Sequence, residues 1–162
     1  IELESLRIEQ ISFLGSQYSL ELSLGQFIQL KAIAYGLPYL TQLGLYSLWK
    51  DDINLEELFQ QAIRGTGIYA DHLQRLLWTL EQDTQLASSF NQVLQAEDAV
   101  EIELLPAFKL ESLGLVKLQG NRATPTCDLY SQYFRDRLNK LQLLTTKMQD
   151  LDLNVFWVVG CA

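Results

Sequence analysis

Few residues in this chain carry chemistry. Its 162 residues include one histidine, two cysteines and twelve cations against twenty carboxylates. A net charge of −8 argues against general affinity for nucleic acid or acidic membranes. Cys127 and Cys161 supply neither a disulfide framework nor metal-ligand spacing, which points to a reducing compartment and a cytoplasmic location. The longest apolar run, Val155 to Val159, is far too short to span a bilayer, so no membrane partner is expected. No signal peptide is expected from the residues before the first helical segment. The chain opens on Ile1 rather than Met, as expected for a piece of a longer protein. GxSxG, HExxH and GxxxxGK[ST] are all absent.

Hydrophobic residues make up 48% of the chain, enough for a real core in one domain or two small helical subdomains. Leu6, Ile8, Ile11 and Leu14 fall on one helical face before Gly15-Ser16. Leu20, Leu22 and Leu24 alternate, as a brief strand or as buried loop anchors. Gln26 to Tyr35 returns to helical period, and Gly36-Leu37-Pro38 breaks it, because a residue before proline avoids the α region. Pro38 then starts the next helix. Lys50-Asp51-Asp52 is a charged joint, and Asn54 with Glu57 has capping-box spacing. After Arg64-Gly65-Thr66-Gly67, stripes at Tyr69, Leu73, Leu76, Leu77, Leu80 and at Leu86, Phe90, Val93, Leu94 predict two more helices.

Residues 100–138 organise the reading. A short strand leads into a helix over Leu104 to Ser112, with Pro106 in its first turn and Gly114 at its stop. Gln119-Gly120-Asn121-Arg122 reads as a hairpin turn, and Asp128 as the N-cap of a final helix carrying Leu129, Tyr130, Tyr133, Phe134 and Leu138. Helix, hairpin, helix is the back half of a winged helix. The expected fold is therefore mainly α, with a winged-helix subdomain that carries one small antiparallel β-hairpin.

The candidate sites are sparse. His72 neighbours Asp71, but adjacent helical residues point about 100° apart and do not converge. With no second histidine or cysteine nearby, His72 reads as a helix-contact residue, and no metal site is expected. Glu56/Glu57 and Glu101/Glu103 read as solvated faces. A winged helix raises DNA binding. The would-be recognition helix, however, offers only Lys109 beside Glu111 and Glu103, with no Arg, Asn or Gln to read a base edge. Residues 1–108 hold 5 basic and 15 acidic side chains, and residues 109–162 hold 7 and 5. Lys117, Arg122, Arg135, Arg137 and Lys140 would make a modest basic edge. On the alternative reading, a winged-helix transcriptional regulator, Lys109, Lys117 and Arg122 are the DNA contacts.

Three stretches resemble one family. Ala34-Tyr-Gly-Leu-Pro-Tyr-Leu40 is similar to the GGHPYL segment of STAND-type signalling ATPases. Gly67-Ile-Tyr-Ala-Asp-His-Leu-Gln-Arg-Leu-Leu-Trp78 resembles a GIYSDHLRRHLW-like helix of an AAA-like family common in cyanobacteria. Ala107 to Leu118, continuing through Thr126 to Tyr130 and Tyr133 to Arg137, resembles the same family's C-terminal winged helix. The resemblance implies a lid over residues 1–52 and a winged helix over 53–138, with the upstream P-loop core missing. It further implies that ATP and Mg²⁺ bind that core and that this part holds no cofactor. The implied partners are the core itself and neighbouring effector domains or subunits, with no catalysis by this part alone. Gly36 and Pro38 are the implied nucleotide-sensing positions, with Tyr39 their neighbour. Tyr35 and Leu37 replace the family's glycine and histidine. Residues 139–162 are unassigned: Leu141, Leu144 and Met148 extend a helix, while Asn154 to Ala162 fits a strand awaiting a partner, the start of another domain, or a frameshifted end.

Overall fold

A computed structural model describes residues 4–160 of the chain. The order is α1 (Ile8–Gln17), α2 (Leu24–Ala34), α3 (Pro38–Lys50), α4 (Leu55–Arg64), a 3₁₀ turn (Gly67–Tyr69), α5 (Ala70–Glu81) and α6 (Thr84–Gln95). Then come β1 (Val100–Glu101), α7 (Leu104–Ser112), β2 (Val116–Gln119), β3 (Arg122–Pro125) and α8 (Asp128–Gly160). The fold is mainly α with a small antiparallel sheet, as the periodicities predict. The strand before α7 finds its partner: the sheet order is β1-β3-β2, with Val100 opposite Ala123 and Glu101 opposite Arg122. The sheet therefore has three strands rather than a lone hairpin. No helix among the described residues is long and apolar enough to cross a membrane.

The local signals act as their chemistry requires. Ser23 caps α2 by accepting the Gln26 N–H while the Gln26 side chain returns to the Ser23 N–H. Asn54 accepts the Glu57 N–H, which is half of the expected capping box. Gly65 ends α4 in the left-handed conformation. The segment around Leu20 and Leu22 is not a strand; both side chains lie half-buried against the core, as loop anchors.

Asp128 is not the cap expected of it. It is the first residue of α8, where its charge suits the helix dipole, and Cys127 holds the cap position, its carbonyl accepting the Ser131 N–H. Burial pushes the Cys127 thiol up to about 11, against the lowering pull of the Tyr130 and Leu129 N–H groups.

One hydrophobic core runs from Ile11 to Leu138. The first turns of α8 thread it with Leu129, Tyr130, Tyr133, Phe134 and Leu138, and Phe134 meets Phe90 and Tyr133 edge-to-face. Arg137 turns inward rather than joining a basic edge. It donates to the Ile63 and Tyr133 carbonyls, tying the end of α4 to α8. Beyond Leu138, α8 continues as helix to Gly160, so the strand reading of Asn154 onward fails over the described residues. Ile1–Leu3 and the last two residues of the tail, Cys161 and Ala162, lie outside them.

Candidate functional site

The turn from Tyr35 to Tyr39 is where the N-terminal segment, β2 and α5 meet. Tyr35 closes α2 at φ +53° and Gly36 follows at φ +67°, so two successive left-handed residues reverse the chain into α3. Pro38 stands at N1 of α3, where its missing N–H is harmless. Gly36 is buried. Its carbonyl accepts the Leu6 N–H at 2.7 Å, and a Cβ built on it would lie 2.7 Å from the Leu6 oxygen. Both its conformation and its lack of a side chain are thus required by the chain's own N-terminal segment.

A left-handed tyrosine costs about 1–2 kcal/mol. Part of that is offset across the molecule, because Lys117 of β2 sets its ammonium 3.3 Å from the centre of the Tyr35 ring. On the other side of the turn Tyr39 is exposed, its ring 5.6 Å from the His72 ring of α5. His72 in turn stacks on Tyr130 of α8, and the Tyr130 hydroxyl lies 2.8 Å from His72 Nε2 in a hydrogen bond. Burial lowers the His72 pKa, and the Arg75 charge lowers it further, so the ring is neutral at pH 7. Burial likewise raises the Tyr130 hydroxyl. His72 is the aromatic helix contact its sequence context suggests. What sequence could not show is that it joins Tyr39 to Tyr130.

The turn supplies no ligand for a triphosphate. Pro38 is half-buried, Gly36 is filled from one side by Leu6, and Lys117 is engaged by Tyr35. An open groove of about 380 Å³ between α2, α4 and the start of α8 carries Glu56 and Asp128 but no cation. No cluster of three metal-ligating side chains occurs among the described residues. The residues present therefore do not fit ATP and Mg²⁺ as a complete site.

The DNA-contact candidates are not assembled either. Lys109 lies 3.4 Å from the Asp83 carboxylate, and Asp83 is held below the usual carboxylate range by the Leu86 N–H and by that lysine. Lys117 is on Tyr35, which leaves Arg122 exposed on β3. The outer face of α7 presents Leu104, Leu105 and Phe108 instead of donors. Sequence reasoning overlooked Tyr35 and Tyr130 as site residues. The one available signal was Tyr35 itself, a bulky residue where the resembling family has glycine.

Neither the curated proteins nor the solved structures include a match to this chain. A family model described as an AAA-like domain matches residues 1–136, which takes in every residue of the turn and its clasp. The chain belongs to the AAA-like domain family.

Proposed function

We propose that this chain is a regulatory module of a STAND-type ATPase: a helical lid and a winged helix that transmit the nucleotide state of an upstream P-loop core to partner domains. The observation that carries this reading is the two-sided clasp on the Tyr35–Tyr39 turn. Lys117 ties the turn to the β2–β3 hairpin, and the Tyr39–His72–Tyr130 chain of ring contacts ties it to α5 and α8. A displacement of Pro38 by nucleotide held elsewhere would be felt at the hairpin through the short contact of Lys117 with the Tyr35 ring. ATP and Mg²⁺ belong to the core in this reading. The module supplies half-buried Pro38 and exposed Tyr39 as an apolar flank, and by itself hydrolyses nothing.

The test uses the parent protein, translated from the coding sequence upstream of Ile1 through residue 162. Hydrogen exchange over Val116–Pro125 should differ between the ADP-bound and ATP-analogue-bound states, and Lys117→Ala should abolish the difference. An upstream frame without a P-loop, or identical exchange in both states, overturns the reading. The duplex-DNA alternative has less support, since Lys109 and Lys117 are already engaged. Anisotropy of labelled duplex at low salt should stay flat, whereas tight binding with a steep salt slope would favour it.

A further inference from the structure

Tyr35 is the residue out of place in the turn. Ala34 to Leu37 close on themselves through the Leu37 N–H to Ala34 C=O bond at 3.0 Å, with φ positive at both central residues. That is the type I′ pattern, in which glycine, asparagine and aspartate dominate. Gly36 fits it. Tyr35, at φ +53° and ψ +25°, sets a bulky side chain in a conformation that its own Cβ opposes.

An outlier of this kind persists only where its surroundings hold it. Tyr35 is held at its ring. Val116 is buried, so strand alternation sends Lys117 to the opposite face of β2, where its Nζ stands 3.3 Å from the ring centre. Both side chains reach solvent, Tyr35 being 38% exposed, so this contact opens without disturbing the core. The strain of a left-handed tyrosine and the worth of an exposed cation–π contact are of the same order. The contact therefore roughly cancels the strain.

The turn also carries the N-terminal segment. Gly36 offers its carbonyl to the Leu6 N–H because Tyr35 and Gly36 turn left-handed in succession. A right-handed Tyr35 would prolong α2 and swing Gly36 away from Leu6.

We infer that Lys117 and Tyr35 form a charge-controlled latch on the N-terminal segment. While the Lys117 ammonium rests on the ring, the turn stays closed and Leu6 stays docked. Once that charge is removed or drawn away, Tyr35 relaxes toward the right-handed region and the segment comes off Gly36. Lys117 is thus a positioning residue that acts on Leu6 through Tyr35. The latch lies wholly within this chain and does not depend on nucleotide coupling by the turn.

NMR of the 162-residue chain tests it. In the wild type the Lys117 Hε resonances should be shifted upfield by the Tyr35 ring. Amide exchange then reads the latch at its two donors, Leu6 and Leu37. Lys117→Met keeps the stem and removes the charge, and should speed exchange at both amides about two- to fivefold, as loss of an exposed cation–π contact requires. Lys117→Arg keeps a cation for the ring and should restore wild-type exchange. Tyr35→Asn loses the ring but suits the left-handed turn, so it should leave Leu37 protected and make Lys117→Met silent. Unshifted Hε resonances overturn the contact. Unchanged exchange in Lys117→Met, or a Lys117→Arg that behaves like it, overturns the charge control. A full response to Lys117→Met in the Tyr35→Asn background overturns the route through the ring.

Discussion

Gly36→Ala separates two explanations of the same residue. If the glycine serves only a ligand held elsewhere, alanine should cost the isolated chain little beyond backbone strain. The structure says otherwise. At φ +67° a Cβ costs about 1–2 kcal/mol in the left-handed region. That Cβ would also lie 2.7 Å from the Leu6 oxygen, a backbone atom that cannot rotate aside. Relief comes only by peeling the N-terminal segment away. That step loses the Leu6 N–H to Gly36 C=O bond, worth about 1 kcal/mol, and some burial of the half-buried Leu6 side chain.

The clash is thus capped by the cost of peeling, and the total comes to about 2–3 kcal/mol. Gly114→Ala is the control: at φ +76° an added Cβ would meet nothing within 4 Å, so only the backbone term of about 1–2 kcal/mol applies. Urea unfolding followed by circular dichroism should place Gly36→Ala below Gly114→Ala by about 1 kcal/mol or more. In thermal melts that difference amounts to about 2–4 °C per kcal/mol. Deleting residues 1–6 should erase the difference, since the obstructing oxygen is gone. Equal destabilisation by the two variants in the intact chain would refute the clamp and return Gly36 to a purely ligand-directed role.

His72 is the sole histidine, so its proton resonances titrate without overlap. Its folded pKa should fall below the ordinary value of about 6.5. The unfolded chain then binds more protons near pH 6, so this contribution is complete above about pH 6.5 and is lost as pH falls through the folded pKa. A measured pKa at or above 6.5 would contradict the burial seen here. Gly44→Ala should overpack the α3 interface, because its Cβ would meet the Tyr69 hydroxyl and Leu30 Cδ1; a loss of about 1–3 kcal/mol in urea unfolding is expected, and no loss would mean that the helices part freely there. Cys127 is buried with its thiol pushed up to about 11, so in Cys161→Ser protein it should resist a thiol reagent at pH 8 until urea unfolds the chain. Prompt native labelling would show that the α8 cap is open.

The predicted elements came from features that act over a few residues. Helical stripes such as Tyr69, Leu73, Leu76 and Leu80 proved buried because a 3.6-residue period aligns them whatever else the chain does. Gly65 and Pro38 set element ends by their own dihedrals, and Asn54 does so by its side-chain bond to the Glu57 N–H. Asp128 sits one position past the expected cap because Asp at N1 and Asp at the cap look alike in sequence, and only the start of the helical hydrogen bonds, Ser131 N–H to Cys127 C=O, distinguishes them. The tail after Asn154 was misread as a strand candidate because its valines and aromatics favour strands, while the helix reaching it from Asp128 sets the backbone.

Periodicity and punctuation by themselves therefore determined the helices, the hairpin and the placing of a tight turn at Gly36-Leu37-Pro38. Tertiary structure alone decided what that turn touches: Leu6 across about thirty residues, Lys117 across about eighty, and His72 with Tyr130 beyond. A lysine over a tyrosine ring or a histidine against a phenol leaves no local trace, because each depends on how packed helices bring distant side chains to within a few ångströms. The same packing decided which cations remain free, and so weakened a DNA interface that the count of lysines and arginines had left open.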